Sequence, residues 1–256
     1  MRAMKTPQPA TSATAVEQLR IDLAAAFRWA ARLGLHEGIA NHFSVATSDD
    51  GSRFLLNPVG SHFSRIRASD LLHLDTADSS TLSGPNAPDP TAWHLHAELH
   101  KRLPQARCIL HTHMPQTTAL CCLENFEFLM LDQNACRFYG RIAYDRHYSG
   151  MALEASEGER VAALMGAGKS VLFMANHGVI VVAPTVARAL DELCYLEKAA
   201  ALQILALSTG RKLALIPPEV AQLACSQWND YPTRFSELHL DAVKSILDLQ
   251  ETDYTT

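Results

Sequence analysis

A layered α/β domain is predicted by three features of the sequence: long segments with helical periodicity, short β-rich runs set between them, and turn residues at the joins. Helices that alternate with strands along a chain pack as layers on a sheet, although the order of the strands is not readable from the pattern alone. The chain has 256 residues, 48% of them hydrophobic, which suits one domain or two closely joined ones and allows a substantial core.

Residues 1–14, rich in Ala, Thr, Pro and Ser, read as a loose lead-in, and residues 15–256 as one domain ending in a helical extension. Residues 15–33 carry apolar positions three and four apart, which predicts an amphipathic helix ending near Gly34. The FSVAT segment, a DDG turn and the FLLNP segment predict a β-hairpin. IRASDLLHLD reads as a short helical start feeding a further strand, and residues 74–90, with three prolines, as a loop. Residues 91–103 form the next helix, punctuated by Pro104 before the strand RCILHTH.

PQTTALCCL is helical, and a mixed region follows through Gly150. In it Phe126, Phe128 and Met130 alternate as strand residues do and are expected to pack in the core, with a substrate pocket as the alternative. Residues 156–167 read as a helix. KSVLFMANHGVIVVAP reads as strand on both sides of Asn176-His177-Gly178. A long helix is predicted over 184–209, started by Pro184 and stopped by Gly210. Two more helices, 217–228 and 235–249, finish the chain.

Composition narrows the function. The formal charge of -5, from 22 basic and 27 acidic residues, is spread without a basic tail and leaves no footprint for nucleic acid. No apolar run reaches the roughly 18–20 residues that span a bilayer, so no membrane partner is expected. Six cysteines without framework spacing point to reduced thiols and a cytoplasmic protein. Gly168-Lys169-Ser170 resembles the end of a phosphate-binding loop, but the first glycine of that pattern is Ala163 here, and strand rather than helix follows.

The chemistry-bearing residues are histidines. In the strand ending Ile-Leu-His-Thr-His, alternation turns His111 and His113 to the same side. His177 lies where one strand gives way to another, beside Gly178, which permits a tight turn or a close approach. Imidazole nitrogens suit zinc, manganese, cobalt or iron, and a catalytic site keeps a coordination position open. The residues alone leave two readings: a divalent-metal pair, or polar strand ends with ordinary hydrogen bonds. His96 and His100 share one helix face, and the short connection keeps that helix near the strand. His96 is the fourth metal candidate, and His100 reads as structural.

His96, the link RLPQAR, the HTH of 111–113, the NHG of 176–178 and the helix after Pro184, with GIANHFSV and NPVG upstream, together resemble the class II aldolase/adducin family over roughly residues 15–215. The resemblance implies a three-layer α/β/α sandwich, a divalent cation on His111, His113 and His177, and a small-molecule substrate. It also implies a homotetramer with active sites near subunit interfaces. It breaks at one place: the sugar-phosphate aldolases of the family carry Ser-Ser-Glu before the helix, whose glutamate serves as acid/base, and this chain has Pro90-Thr91-Ala92. Alanine cannot transfer a proton.

The expected activity is therefore that of a metal-dependent lyase, cleaving or decarboxylating a non-phosphorylated oxo or hydroxy acid, aromatic acids included. Two alternatives stand beside it: a non-haem iron oxygenase acting on an aromatic 2-oxo or hydroxy acid, and a non-catalytic adducin-like binding protein. Glu37 and His42 are the candidates to replace the missing proton carrier. Asn41 and Gly60 match positions that contact substrate in relatives, and Ser61 and Gln133 are further binding candidates. His147 and Tyr148 line the site or sit on the surface; spacing does not decide.

Overall fold

The computed structural model describes residues 13–83, 87–231 and 234–256. The lead-in expected over 1–14 therefore lies outside the described residues except for Ala13 and Thr14, which already belong to helix α1, Ala13–Arg32. Strands β1 (His42–Ala46), β2 (Arg53–Leu56) and β3 (Leu72–Asp75) follow, then helix α2 (Pro90–Arg102), strand β4 (Cys108–Thr112) and helix α3 (Pro115–Cys121). Next come β5 (Ile142–Asp145), α4 (Ala155–Met165), β6 (Val171–Met174), β7 (Gly178–Ala183), and helices α5 (Val186–Ser208), α6 (Pro218–Asp230) and α7 (Phe235–Gln250).

The seven strands form one sheet in the order β3-β2-β1-β4-β7-β6-β5. Only β5 and β6 pair in parallel; the other pairs are antiparallel. Alternation sends Phe43, Val45, Leu110, Val179 and Val181 into a core with residues of α1, α5 and α7. It sends Ile109, Leu172, Ile180 and Val182 to the opposite face, against Leu95 and Leu99 of α2 and Val161 and Met165 of α4. Helices on both faces of a sheet make the three-layer α/β/α sandwich that the resemblance implies. Burial on both faces also explains why β4, β6 and β7 read as continuous apolar runs.

Local differences from the sequence reading have local causes. The long helix begins at Val186 rather than at Pro184, because the Thr185 hydroxyl accepts from the Arg188 N–H and so caps it. Phe126 and Phe128 are buried, as expected, but their segment joins no strand pair; their rings pack against Phe173. Lys169 donates to the Gly140 carbonyl and β6 follows at Val171, so the phosphate-loop likeness carries no phosphate-loop structure. All six cysteines are free thiols. Among the described residues no helix is long and apolar enough to cross a membrane.

Candidate metal centre

β4 is the middle strand of the sheet, and its C-terminal end carries His111 with His113 just beyond. His177 occupies the turn between β6 and β7, the latter paired with β4. That turn is forced into an unusual shape. Asn176 takes φ +55, a left-handed conformation uncommon outside glycine, and its N–H is held by the Cys121 carbonyl at 3.0 Å. Gly178 follows because nothing larger fits: a Cβ there would stand 2.5 Å from the Thr112 carbonyl oxygen and 2.7 Å from His113 Cδ2. The outcome is a group of three imidazoles whose ligand nitrogens lie within 4.8 Å of one another.

The hydrogen bonds around these rings decide which nitrogens are free. His111 Nδ1 lies 3.1 Å from the Val179 carbonyl, and His113 Nδ1 lies 2.6 Å from the Glu37 carboxylate. Both partners only accept, so both Nδ1 atoms carry the proton. In the neutral rings this leaves two Nε2 lone pairs facing each other at 3.2 Å. A cation between them turns that repulsion into coordination. Two nitrogens each about 2.1 Å from one ion at a near-tetrahedral angle stand about 3.4 Å apart, so the spacing fits with a small adjustment. Burial and the neighbouring histidines hold His111 well below the usual imidazole range and bring His177 down to about 4. Both present lone pairs at neutral pH without a proton to displace.

The same burial makes the metal-free protein acid-sensitive. His42 and His100 are pushed down to about 3 and His177 to about 4, in each case chiefly by desolvation. The unfolded chain takes up these protons near pH 6.5. Because the folded values lie below the unfolded one, stability is whole above about pH 6.5 and falls as the pH drops towards 4, by up to about 1.4 kcal/mol per group per pH unit. Urea midpoints of metal-free protein should be clearly lower at pH 5 than at pH 7.5; equal midpoints would contradict the assignment.

The other candidates fall at different distances from the cluster. Glu37 joins it as the partner of His113 Nδ1, an orienting role that typically contributes 10–100-fold to metal affinity. Glu37→Gln should weaken cation binding by about that factor, measured by competition with a chelating dye. Asn41 is buried and stitches the preceding loop to the site: its Oδ1 accepts from the N–H of Glu37 at 2.7 Å and of His113 at 3.4 Å. Its Nδ2 is buried without a hydrogen-bond partner.

His96, grouped with the ligands from the sequence, does not enter the group of three. Its Nε2 faces His42 Nδ1 at 2.7 Å and its Nδ1 faces the Ser44 hydroxyl, so both nitrogens are engaged beneath the cluster. His42 stands between: its ring is 4.8 Å from that of His96 and 4.7 Å from that of His111. Gly60, at φ +77, and Ser61 lie in the turn after β2, and Gln133 is exposed in the turn after Leu131. None of these three has a hydrogen bond to the cluster among the described residues.

Two residues enter that the sequence reading passed over or left open. Tyr148 brings its ring to 6.0 Å from that of His177. Asp89 caps α2, accepting from the N–H groups of Thr91 and Ala92, and its charge acts on His42. In the sequence this carboxylate is marked by the Asp-Pro start of the helix. Ala92 itself is buried and offers no proton carrier.

An α/β/α sandwich with three histidines converging at the end of its central strand defines a divalent-cation protein. The sequence profile described as Class II Aldolase and Adducin N-terminal domain matches residues 21–204, and the chain belongs to the class II aldolase/adducin family. It is a divergent member, without the acid/base glutamate. A crystal structure of an aldolase II superfamily protein from Pseudomonas syringae is similar at a TM-score of 0.83 and 30% identity, over 98% of each chain. Two curated relatives are each 29% identical over 221 residues, 83% of this chain: Decarboxylase NovR of Streptomyces niveus, matched over 81% of its length, and the 4-hydroxy-3-prenylphenylpyruvate oxygenase/4-hydroxy-3-prenylbenzoate synthase of Streptomyces roseochromogenus subsp. oscitans, over 79%.

Proposed function

We propose that the protein is a metal-dependent lyase acting on a non-phosphorylated oxo or hydroxy acid, by decarboxylation or carbon–carbon cleavage. The observation that carries this reading is the group of His111, His113 and His177, with Nε2 of the first two facing each other at 3.2 Å, in a chain whose position 92 is a buried alanine. Those three residues would hold the cation, which when bound polarises a carbonyl or stabilises developing negative charge on oxygen. The chain supplies the rest. Glu37 orients His113, and the unpartnered Nδ2 of Asn41 offers a hydrogen bond to a carboxylate. Asp89 and His42 are the groups placed to hold or accept a proton. Ile39, between Glu37 and Asn41, and Tyr148, against His177, are exposed and favour an apolar or aromatic substituent.

A second reading, a non-haem iron oxygenase, is supported by the relative whose name is that of an oxygenase of a prenylated hydroxyphenylpyruvate. Metal analysis of tag-free protein purified anaerobically separates the two. Zinc, manganese or cobalt, with carbon dioxide or aldehyde released from a panel of 2-oxo and hydroxy acids without oxygen uptake, supports the lyase. Near-stoichiometric iron with oxygen uptake supports the oxygenase. Failure to bind any of these metals after supplementation would overturn both and favour an adducin-like binding role. The homotetramer implied by the family belongs to the same proposal, and the mass of the protein in solution tests it.

A further inference from the structure

Beneath the cation site, between α2 and the sheet, lies a line of buried polar groups that ends at His42 and whose other members the proposed reaction does not use. His100 Nδ1 is 2.6 Å from the Ala106 carbonyl, and its Nε2 is 2.7 Å from the Ser44 hydroxyl. Ser44 Oγ also meets His96 Nδ1, and His96 Nε2 meets His42 Nδ1 at 2.7 Å. Ser44 and His96 are fully buried and His100 nearly so, so no water competes along the line.

Such a line has two possible polarities, and Ala106 selects one. A carbonyl oxygen only accepts, so His100 carries its proton on Nδ1 and a lone pair on Nε2. The Ser44 hydroxyl must then donate to His100 and accept from His96 Nδ1. His96 Nε2 in turn accepts from His42 Nδ1. The reverse order would set a ring lone pair against the Ala106 oxygen at 2.6 Å. All three rings are buried away from water, an environment that disfavours the charged form of an imidazole. The last ring therefore ends protonated at Nδ1 and bare at Nε2. The two nitrogens of an imidazole point in nearly opposite directions, so Nε2 of His42 turns away from His96. No protein group among the described residues is hydrogen-bonded to it. His42 pairs across the strands with His111, on the face that carries the cluster.

We propose that Ala106, His100, Ser44 and His96 form a positioning relay that fixes the tautomer of His42, presenting its Nε2 as an acceptor for a hydroxyl group or water at the rim of the cation site. What meets that nitrogen rests on the function proposed above; the tautomer does not. It is set in the metal-free chain and is tested without turnover.

The experiment is ring-nitrogen NMR of full-length, metal-free protein labelled with 15N-histidine at pH 7.5, with each ring assigned by its loss in a single substitution such as His42→Gln. His42, His96 and His100 should each show a pyrrole-type Nδ1 and a pyridine-type Nε2. Ser44→Ala cuts the line, so His42 and His96 should move to averaged or Nε2-protonated patterns while His100 keeps its own. His100→Gln should preserve the His42 pattern, because its amide can donate to Ala106 and accept from Ser44. A wild-type His42 protonated at Nε2 would overturn the relay, and that result needs no variant to fold. A folded Ser44→Ala protein with an unchanged His42 pattern would overturn it equally. Loss of activity alone, with the tautomers as described, would count against the proposed reaction and not against the relay.

Discussion

Cation affinity falls at least about a hundredfold in His177→Ala, while the metal-free protein keeps its fold. The magnitude follows from the share one ligand takes in a site of this size. Apparent binding free energies of structural zinc sites with four ligands run about 10–16 kcal/mol, so one ligand carries roughly 3 kcal/mol, near two decades of affinity. The fold survives because His177 sits in a turn, only half-enclosed, and its ring supports no strand pair. His111→Ala should lose as much affinity and also some stability, since that ring is buried in β4 and bonded to Val179. His96→Gln is the contrast: it lies outside the group of three, and cation stoichiometry should hold. Dye-competition titration with circular dichroism of each variant checks the set. Unchanged affinity in both His111→Ala and His177→Ala would remove the metal assignment.

Gly178→Ala should damage the cation site through a single added methyl group. The added Cβ meets the Thr112 oxygen at 2.5 Å and His113 Cδ2 at 2.7 Å. The first of these is backbone and cannot yield, because Thr112 is locked opposite Val179 in the pairing of β4 with β7. The second is a ligand ring, so any relief comes by turning His113 away from His111. Overpacking of this kind costs about 1–3 kcal/mol, and here the loss of ligand geometry should add a fall of tenfold or more in cation affinity. Gly60→Ala separates backbone strain from space: Gly60 sits at φ +77, as Gly178 does not, and a Cβ there meets nothing within 4 Å. It should cost only the strain, about 1 kcal/mol, and leave cation binding intact. Urea midpoints and titrations of the two variants make the comparison.

The parts of this molecule that were legible in advance are those set by short-range periodicity. Apolar spacing marked α1, Pro184 and Gly210 bracketed α5, and strand alternation turned His111 and His113 to one side. The order of the sheet was not legible, because β4 lies between β1 and β7, and the choice of neighbours depends on pairings distant in sequence. His96 shows the limit at a single residue. Helical spacing put it and His100 on one face, but whether its ring reaches a cation or is consumed by neighbours depends on Ser44 and His42 across the sheet. Asp89 was missed for a related reason: as a helix cap it has a sufficient local explanation, and its effect on His42 exists only once the layers are packed.

The ligands come from the end of β4 and from the turn before β7, with α3, β5, α4 and β6 in the chain between them. A bound cation therefore works as a reversible cross-link that closes this long loop and removes chain entropy from the unfolded state, as a disulfide would. Chelators then lower the stability of this protein without unfolding it. The segment between the ligands is where a protease should first find its way in when the cation is withdrawn, and where protection should return when it is restored.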